Sequence, residues 1–213
     1  ILDNRLQIRG RRMIAIIDYD AGNIRSVEKA LLALGQEVTV TADRDEILHA
    51  DKVILPGVGA FGDAMEKLKQ SGLDEVIRKV TEKRTPFLGI CLGLQLLFEH
   101  SDEAPGVEGL GILKGEILRI PDKEGYKIPH MGWNSLHLEN NGRLFKGIAE
   151  NSYVYFVHSY YLKAEEEQIV KASTEYTTHI HASVEKDNIF ACQFHPEKSS
   201  DVGLKILKNF VEL

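Results

Sequence analysis

Pro86-Phe87-Leu88-Gly89-Ile90-Cys91-Leu92-Gly93-Leu94-Gln95-Leu96-Leu97-Phe98 is the stretch whose reading decides the fold. A short apolar run ends in a cysteine framed by glycines, and a second apolar run of helical character follows at once. Small residues on both sides of a reactive side chain permit the sharp strand-to-helix turn that lifts it clear of a sheet. A helix over 92–98 would aim its unpaired amides at the sulfur and favour negative charge there. A free cysteine more often ends as inert packing. The double-glycine frame and the strand–helix context favour a nucleophile instead.

Upstream of this elbow the chain alternates. Met13-Ile14-Ala15-Ile16-Ile17 is a continuous apolar run, as expected of a strand buried on both faces. A helix over 24–34 closes at Gly35, strands are expected over 37–41 and 53–55, and a helix carries Phe61, Met65 and Leu68 on one side. A further helix over 73–81 precedes the strand over 87–90. Strand and helix in alternation mean βαβ units and a central, mostly parallel sheet flanked by helices. After Ser101 the pattern changes to strands over 116–120, 133–138, 153–158, 169–174, 182–186 and 189–194 with little helix between them. They are expected to add an antiparallel portion in the C-terminal half, before a closing helix over 201–212. The fold class is therefore α/β.

The chain has 213 residues, 43% of them hydrophobic, and a net charge of −6, which argues against a nucleic-acid partner. No apolar run approaches the roughly 20 residues of a membrane helix. Two cysteines make no disulfide framework, so a cytoplasmic setting is expected. Residues 1–12 carry four arginines without an apolar period and read as a leader, disordered or non-native, ahead of a single domain over 13–213.

Phe194-His195-Pro196-Glu197-Lys198-Ser199 follows an apolar strand near the C-terminus. Pro196 biases His195 toward extended geometry, and side chains two apart on an extended segment share a side. Glu197 could then hold the imidazole in the orientation a general base needs, with Cys91 as nucleophile. Leu55-Pro56-Gly57-Val58-Gly59 ends the third strand, and its glycines let amides approach an oxyanion. With Gly62 the string matches a dinucleotide fingerprint by letter, but the wrong strand precedes it and no acidic residue is placed for a ribose. Gln95, one turn beyond Cys91, falls beside the sulfur and needs a polar partner among leucines. Cys192 reads as packing. His179 and His181 lack the accompanying ligands of a metal site, so neither metal nor cofactor is expected.

These segments, together with Asp18-Tyr19-Asp20-Ala21-Gly22-Asn23, Pro129-His130-Met131-Gly132-Trp133-Asn134 and Tyr155-Phe156-Val157-His158-Ser159-Tyr160, resemble the class I (triad) glutamine amidotransferases over 13–213. Within that class the likeness is to the glutaminase subunits of imidazole glycerol phosphate synthases. The resemblance implies hydrolysis of glutamine by Cys91, His195 and Glu197, with an oxyanion hole from Val58, Gly59 and Leu92. It also implies substrate contacts from Gly57, Gln95, His158, Ser159 and Tyr160. A (β/α)₈-barrel cyclase would be the partner in a heterodimer and would receive ammonia. Trp133, Tyr155 and Lys198, each adjoining one of these motifs, are expected to meet it. Asp20 stands where the family commonly has glycine, and residues 1–12 fall outside the family pattern. Two rival readings use the same triad: a free-standing hydrolase acting on γ-glutamyl peptides, and the glutaminase subunit of another amidotransferase. The need for a partner separates the first from the rest.

Overall fold

The computed structural model describes residues 13–20 and 23–213; the expected leader over 1–12 lies outside them. Strand β1 (Met13–Ile17) is followed by α1 (Ile24–Ala33), β2 (Glu37–Thr41), α2 (Arg44–His49) and β3 (Lys52–Leu55). Helices α3 (Phe61–Ser71) and α4 (Leu73–Glu82) lead to β4 (Phe87–Ile90), the elbow, and α5 (Leu92–Leu96). Then come β5 (His100–Ser101), β6 (Gly115–Arg119), β7 (His130–Ser135), β8 (His137–Leu138), β9 (Tyr153–His158) and β10 (Tyr160–Ala164). Strands β11 (Val170–Glu175), β12 (His179–Lys186) and β13 (Ile189–Cys192) precede the closing helix α6 (Ser200–Val211).

The main sheet runs β2-β1-β3-β4-β13-β12-β11-β8. Its first five strands are mutually parallel, and the last three add on antiparallel. The expected antiparallel portion thus extends the parallel sheet directly. Two small sheets stand apart from the main sheet, the mixed sheet β10-β6-β5, in which β5 and β6 are parallel, and the antiparallel ribbon β7-β9. The inner parallel strands β1, β3, β4 and β13 are covered on both sides, which is why their sequences are mostly continuous apolar runs, whereas β2 at the sheet edge is mixed and only partly buried. Ala15 and Ile17 point to the layer built with α2, α3, α4 and α5, while Ile14 and Ile16 point to the layer built with α1 and α6.

Several elements differ from the sequence expectation for local reasons. Helix α5 ends at Leu96, short of Phe98, because the carbonyls of Leu96 and Leu97 accept amides from Leu110 and Ile112 instead of continuing the helix. The single strand expected over 133–138 is two strands in different sheets, separated by the fully buried Leu136. Helix α2 is too short for a period to reveal, though Asp43 caps it by accepting from the amides of Asp45 and Glu46. Strand β10 escapes the pattern because it leaves β9 after one residue to pair with β6 in another sheet.

At the centre of the main sheet α5 lies almost against the backbone of β3. A Cβ on Gly93 would sit 1.9 Å from the carbonyl oxygen of Leu55, and one on Gly89 would sit 2.7 Å from that of Gly93. Neither backbone has room to retreat, since Leu55 ends a central strand of the sheet and Gly93 lies in α5, whose residues are all buried. Gly93→Ala should therefore destabilise the fold by about 3 kcal/mol or more. Urea unfolding followed by circular dichroism reads this directly, and a midpoint equal to wild type would show that the crossing relaxes freely.

Candidate active site

The elbow takes the shape its glycines permit. Cys91 has φ 55° and ψ −109°, a conformation rare outside glycine, and its amide donates to the carbonyl of Cys192 at 2.8 Å. That bond continues the β4–β13 pairing to the last residue before the turn. The side chain is mostly buried but opens on a cavity of about 300 Å³ lined by Val58, Gly59, Leu92, Gln95, His158, Ser159, Tyr160 and His195, and also by Glu103, Pro129 and Val157.

His195 and Glu197 meet by a route different from the one expected. Residues Pro196–Lys198 form a 3₁₀ turn and not an extended segment, with only His195 itself extended (φ −99°, ψ 95°). The turn folds the Glu197 carboxylate back so that its Oε1 accepts from Nδ1 of His195 at 2.8 Å. The same oxygen accepts from Nδ2 of Asn23 at 2.7 Å, a contact no sequence spacing announces. Ser199 locks the loop: its hydroxyl donates to the carbonyl of His195 and accepts the amide of Tyr155 on β9. With Nδ1 committed to Glu197, Nε2 of His195 is left buried and without a hydrogen-bond partner among the described residues, available for chemistry. Burial disfavours the imidazolium, but the interactions with Cys91 and Glu197 outweigh it and raise His195 to about 9.

The two glycines of the segment 56–59 differ: Gly57 is held against other groups, while no described residue beyond its chain neighbours lies within 4 Å of a Cβ built on Gly59. Gly57 packs on Tyr19, whose hydroxyl donates to the carbonyl of Pro56 at 2.9 Å, and a Cβ on Gly57 would lie 2.4 Å from the Tyr19 hydroxyl oxygen. Burial, together with the nearby Cys91, pushes the Tyr19 phenol up, so it stays a neutral donor. Val58 is exposed and Gly59 has φ 101°. The amide of Leu92, an expected oxyanion donor, instead donates to the carbonyl of Gly57 at 3.4 Å. Asp20, at the departure from the family pattern, keeps a left-handed φ of 61°, and Lys67 bonds both its carbonyl and its carboxylate.

Polar groups behind the cavity form one chain. His158 donates from Nδ1 to the carbonyl of Tyr160 at 2.8 Å, which leaves its Nε2 to accept from Nδ1 of His130 at 3.0 Å. Nε2 of His130 then accepts from Nδ2 of Asn134. Burial is the main cause lowering both imidazoles, His130 to about 4 and His158 to about 3, so the pair is neutral. Gln95 is buried and donates to the carbonyl of Tyr160 and to Oε1 of Gln193, each at 3.1 Å. Gln193, Glu103 and Asn23 are the site neighbours that sequence reasoning missed. A glutamine inside the apolar strand over 189–194 was the available signal for the first.

Above the cavity, the ribbon β7-β9 turns Met131, Trp133 and Tyr153 to the exterior, Trp133 with 53% exposure. Trp133 lies opposite Tyr155 in register, their rings edge to face at 6.1 Å. Lys198 is exposed on the turn that carries Glu197.

Comparison with known proteins agrees with this fold. The family described as glutamine amidotransferase class-I matches residues 15–213, and the chain belongs to it. The fold is shared with a crystal structure of a glutamine amidotransferase (TM-score 0.73, 19% identity, 93% of this chain and 97% of that one). It is also shared with a chain in the structure of PurLQS from Thermotoga maritima (TM-score 0.74, 22% identity, 95% of this chain and 98% of that one). In sequence it is 54% identical over 201 residues to the imidazole glycerol phosphate synthase subunit HisH of Methanocaldococcus jannaschii, covering 94% of this chain and 100% of the relative. The same subunit from Caldanaerobacter subterraneus subsp. tengcongensis is also 54% identical, over 94% of this chain and 98% of its own length.

The imidazoles should separate in an NMR pH titration. His195 is expected to titrate near pH 9, while His130 and His158 show no step above about pH 5. Because the folded value of His195 is raised above the ordinary 6.5, its contribution to stability is complete below that pH and fades as pH rises through about 9. A His195 midpoint near 6.5 would mean that Cys91 and Glu197 do not hold its charge.

Proposed function

We propose that this chain is the glutaminase subunit of an imidazole glycerol phosphate synthase, hydrolysing glutamine to glutamate and passing ammonia to a cyclase. One observation carries the catalytic reading: Cys91, strained at the elbow, opens on a cavity shared with Nε2 of His195, whose Nδ1 is held by Glu197. The relatives' names supply the particular synthase.

In this reading the Sγ of Cys91 attacks the side-chain amide carbon of glutamine, and His195 delivers a proton to the departing ammonia. Water then attacks the γ-glutamyl thioester and regenerates the thiol. Before the Leu92 amide can receive an oxyanion it must leave the carbonyl of Gly57, so the segment 56–59 has to shift as substrate is engaged. Val58 and Gly59 are exposed, and a Cβ built on Gly59 would meet no described residue beyond its chain neighbours within 4 Å, which suits that movement. Glutamine is bound by Gln95, His158, Ser159 and Tyr160. The Glu103 carboxylate, held at the cavity by the Phe61 amide at 2.8 Å, suits its α-ammonium group.

Ammonia in water at neutral pH is mostly protonated and is then no nucleophile, so the site needs a partner that covers it and excludes water. A (β/α)₈-barrel cyclase fits, docked on the exposed face of Trp133, Tyr155 and Lys198, and combining ammonia with a phosphoribulosyl substrate to give imidazole glycerol phosphate and AICAR. Such barrels keep their active site at the C-terminal face, so this subunit caps the opposite end.

Cys91→Ser should abolish glutamine-dependent synthesis by the assembled pair and leave ammonia-dependent synthesis nearly intact. Equal loss with both nitrogen sources would place Cys91 outside ammonia release. Trp133→Ala should weaken association with the cyclase by about 2 kcal/mol or more while the subunit's own melting temperature barely moves. Calorimetric titration beside a thermal melt decides it; unchanged affinity with a large melting loss would put the docking face elsewhere.

A further inference from the structure

Gln193 has no role in the mechanism above, yet it touches the reacting sulfur. Its side chain is fully buried, and Nε2 lies 3.7 Å from the Sγ of Cys91 in hydrogen-bonding geometry. The opposite end of the carboxamide is fixed, since Oε1 accepts from Nε2 of Gln95 at 3.1 Å. Its backbone is fixed as well, the amide donating to the carbonyl of Ala182 at 2.8 Å. An acceptor contact at one end of a carboxamide leaves the other end as N–H, so the group facing the sulfur is a donor.

We propose that Gln193 is a further catalytic residue, whose Nε2–H donates a hydrogen bond to the negative charge that returns to Cys91 Sγ when the γ-glutamyl thioester is hydrolysed. The proposal rests on the glutaminase reading of the site. Charge on the sulfur follows a simple course. It is negative in the attacking thiolate, neutral once bonded to the acyl carbon, and negative again as the sulfur leaves as thiolate. In the second half-reaction a water oxygen bonds to the thioester carbon, His195 Nε2 takes the water proton, and the C–S bond breaks with its electron pair going to Sγ. The proton on His195 then passes to the sulfur or to solvent, and the products are glutamate and free Cys91. A donor already aimed at Sγ stabilises that developing charge without reorganising. The same donor binds the thiolate before attack, so it offers acylation no comparable gain. Its effect falls on thioester breakdown.

The link to Gln95 gives the arrangement a second use. Gln95 spends both of its N–H groups on the carbonyl of Tyr160 and on Gln193, so the orientation of the Gln95 carboxamide toward the cavity depends on Gln193. Gln193→Glu keeps an acceptor for Gln95 but removes the amide donor from the sulfur. Gln193→Met fills the space and removes both functions.

The test uses the complex with the cyclase, mixed with glutamine, quenched in acid at steady state and weighed as intact protein. In both variants the fraction of subunit carrying one γ-glutamyl group should rise well above wild type, and kcat for glutamate release should fall by roughly tenfold or more, the loss of one hydrogen bond to a charged group. KM should follow Gln95: near wild type in Gln193→Glu and raised in Gln193→Met. A merely structural role would slow acylation as well and leave no accumulated thioester. Wild-type turnover and acyl fraction in both variants, or lost turnover with no rise in acyl-enzyme, would overturn the proposal. If wild-type protein itself released no glutamate, the glutaminase reading would fail instead, so the two failures are distinguishable.

Discussion

Gly93 crosses the backbone of Leu55 with no room for a side chain, and Gly89 is met in the same way by the carbonyl of Gly93. This contact pulls α5 onto the middle of the sheet and forces the turn before it to be sharp. The cost appears at Cys91, whose backbone takes a conformation few side chains tolerate. In exchange the sulfur stands at the carboxyl end of β4, between the loop after β3 and the loop after β13. Those loops bring the glycine segment 56–59 and the His195 turn. Ligand sites in open α/β sheets lie at such carboxyl ends.

The histidine side of the site depends on different forces. His195 is buried, so its charge survives only because a carboxylate and the cysteine lie against it. Asn23 at the start of α1 and the Ser199 hydroxyl, which ties the His195 carbonyl to the Tyr155 amide of β9, hold that pair in place. Strand β9 therefore serves both sides of one thin layer. Its inner residues, Phe156 and His158, pack toward the site, and its outer neighbours stand with Trp133 at the surface. Any protein seated on that ribbon presses on elements that are one hydrogen bond away from His195, through the carbonyl of Tyr155.

The interior behind the cavity is polar and fully connected. From Asn134 the donors run through His130 and His158 to the Tyr160 carbonyl, which Gln95 meets from the other side before reaching Gln193 and the sulfur. Every tautomer in the chain follows from the carbonyl at its end. Neutral imidazoles suit this task, because burial disfavours a charge on either.

Local patterns were sufficient for much of this. The apolar runs of β1, β3, β4 and β13 reveal a sheet buried on both faces, because only continuous apolar sequence survives there. The glycine frame around Cys91 reveals the elbow, because the strain of the turn is a property of the few residues that make it. His195 and Glu197 are legible as a pair for the same reason, although the 3₁₀ turn that joins them is not, since Pro196 permits more than one continuation. Other features depend on what meets across the fold. Helix α5 stops at Leu96 because amides from 110–113 take its carbonyls, and β7 and β8 part company because Leu136 is drawn into the core. Asn23 reaches Glu197 across 174 positions of chain, and Gln193 reaches Cys91 across 102. Spacing in sequence carries information only over the few residues that share one element. Contacts between elements are set by packing, and packing exists only in the tertiary structure.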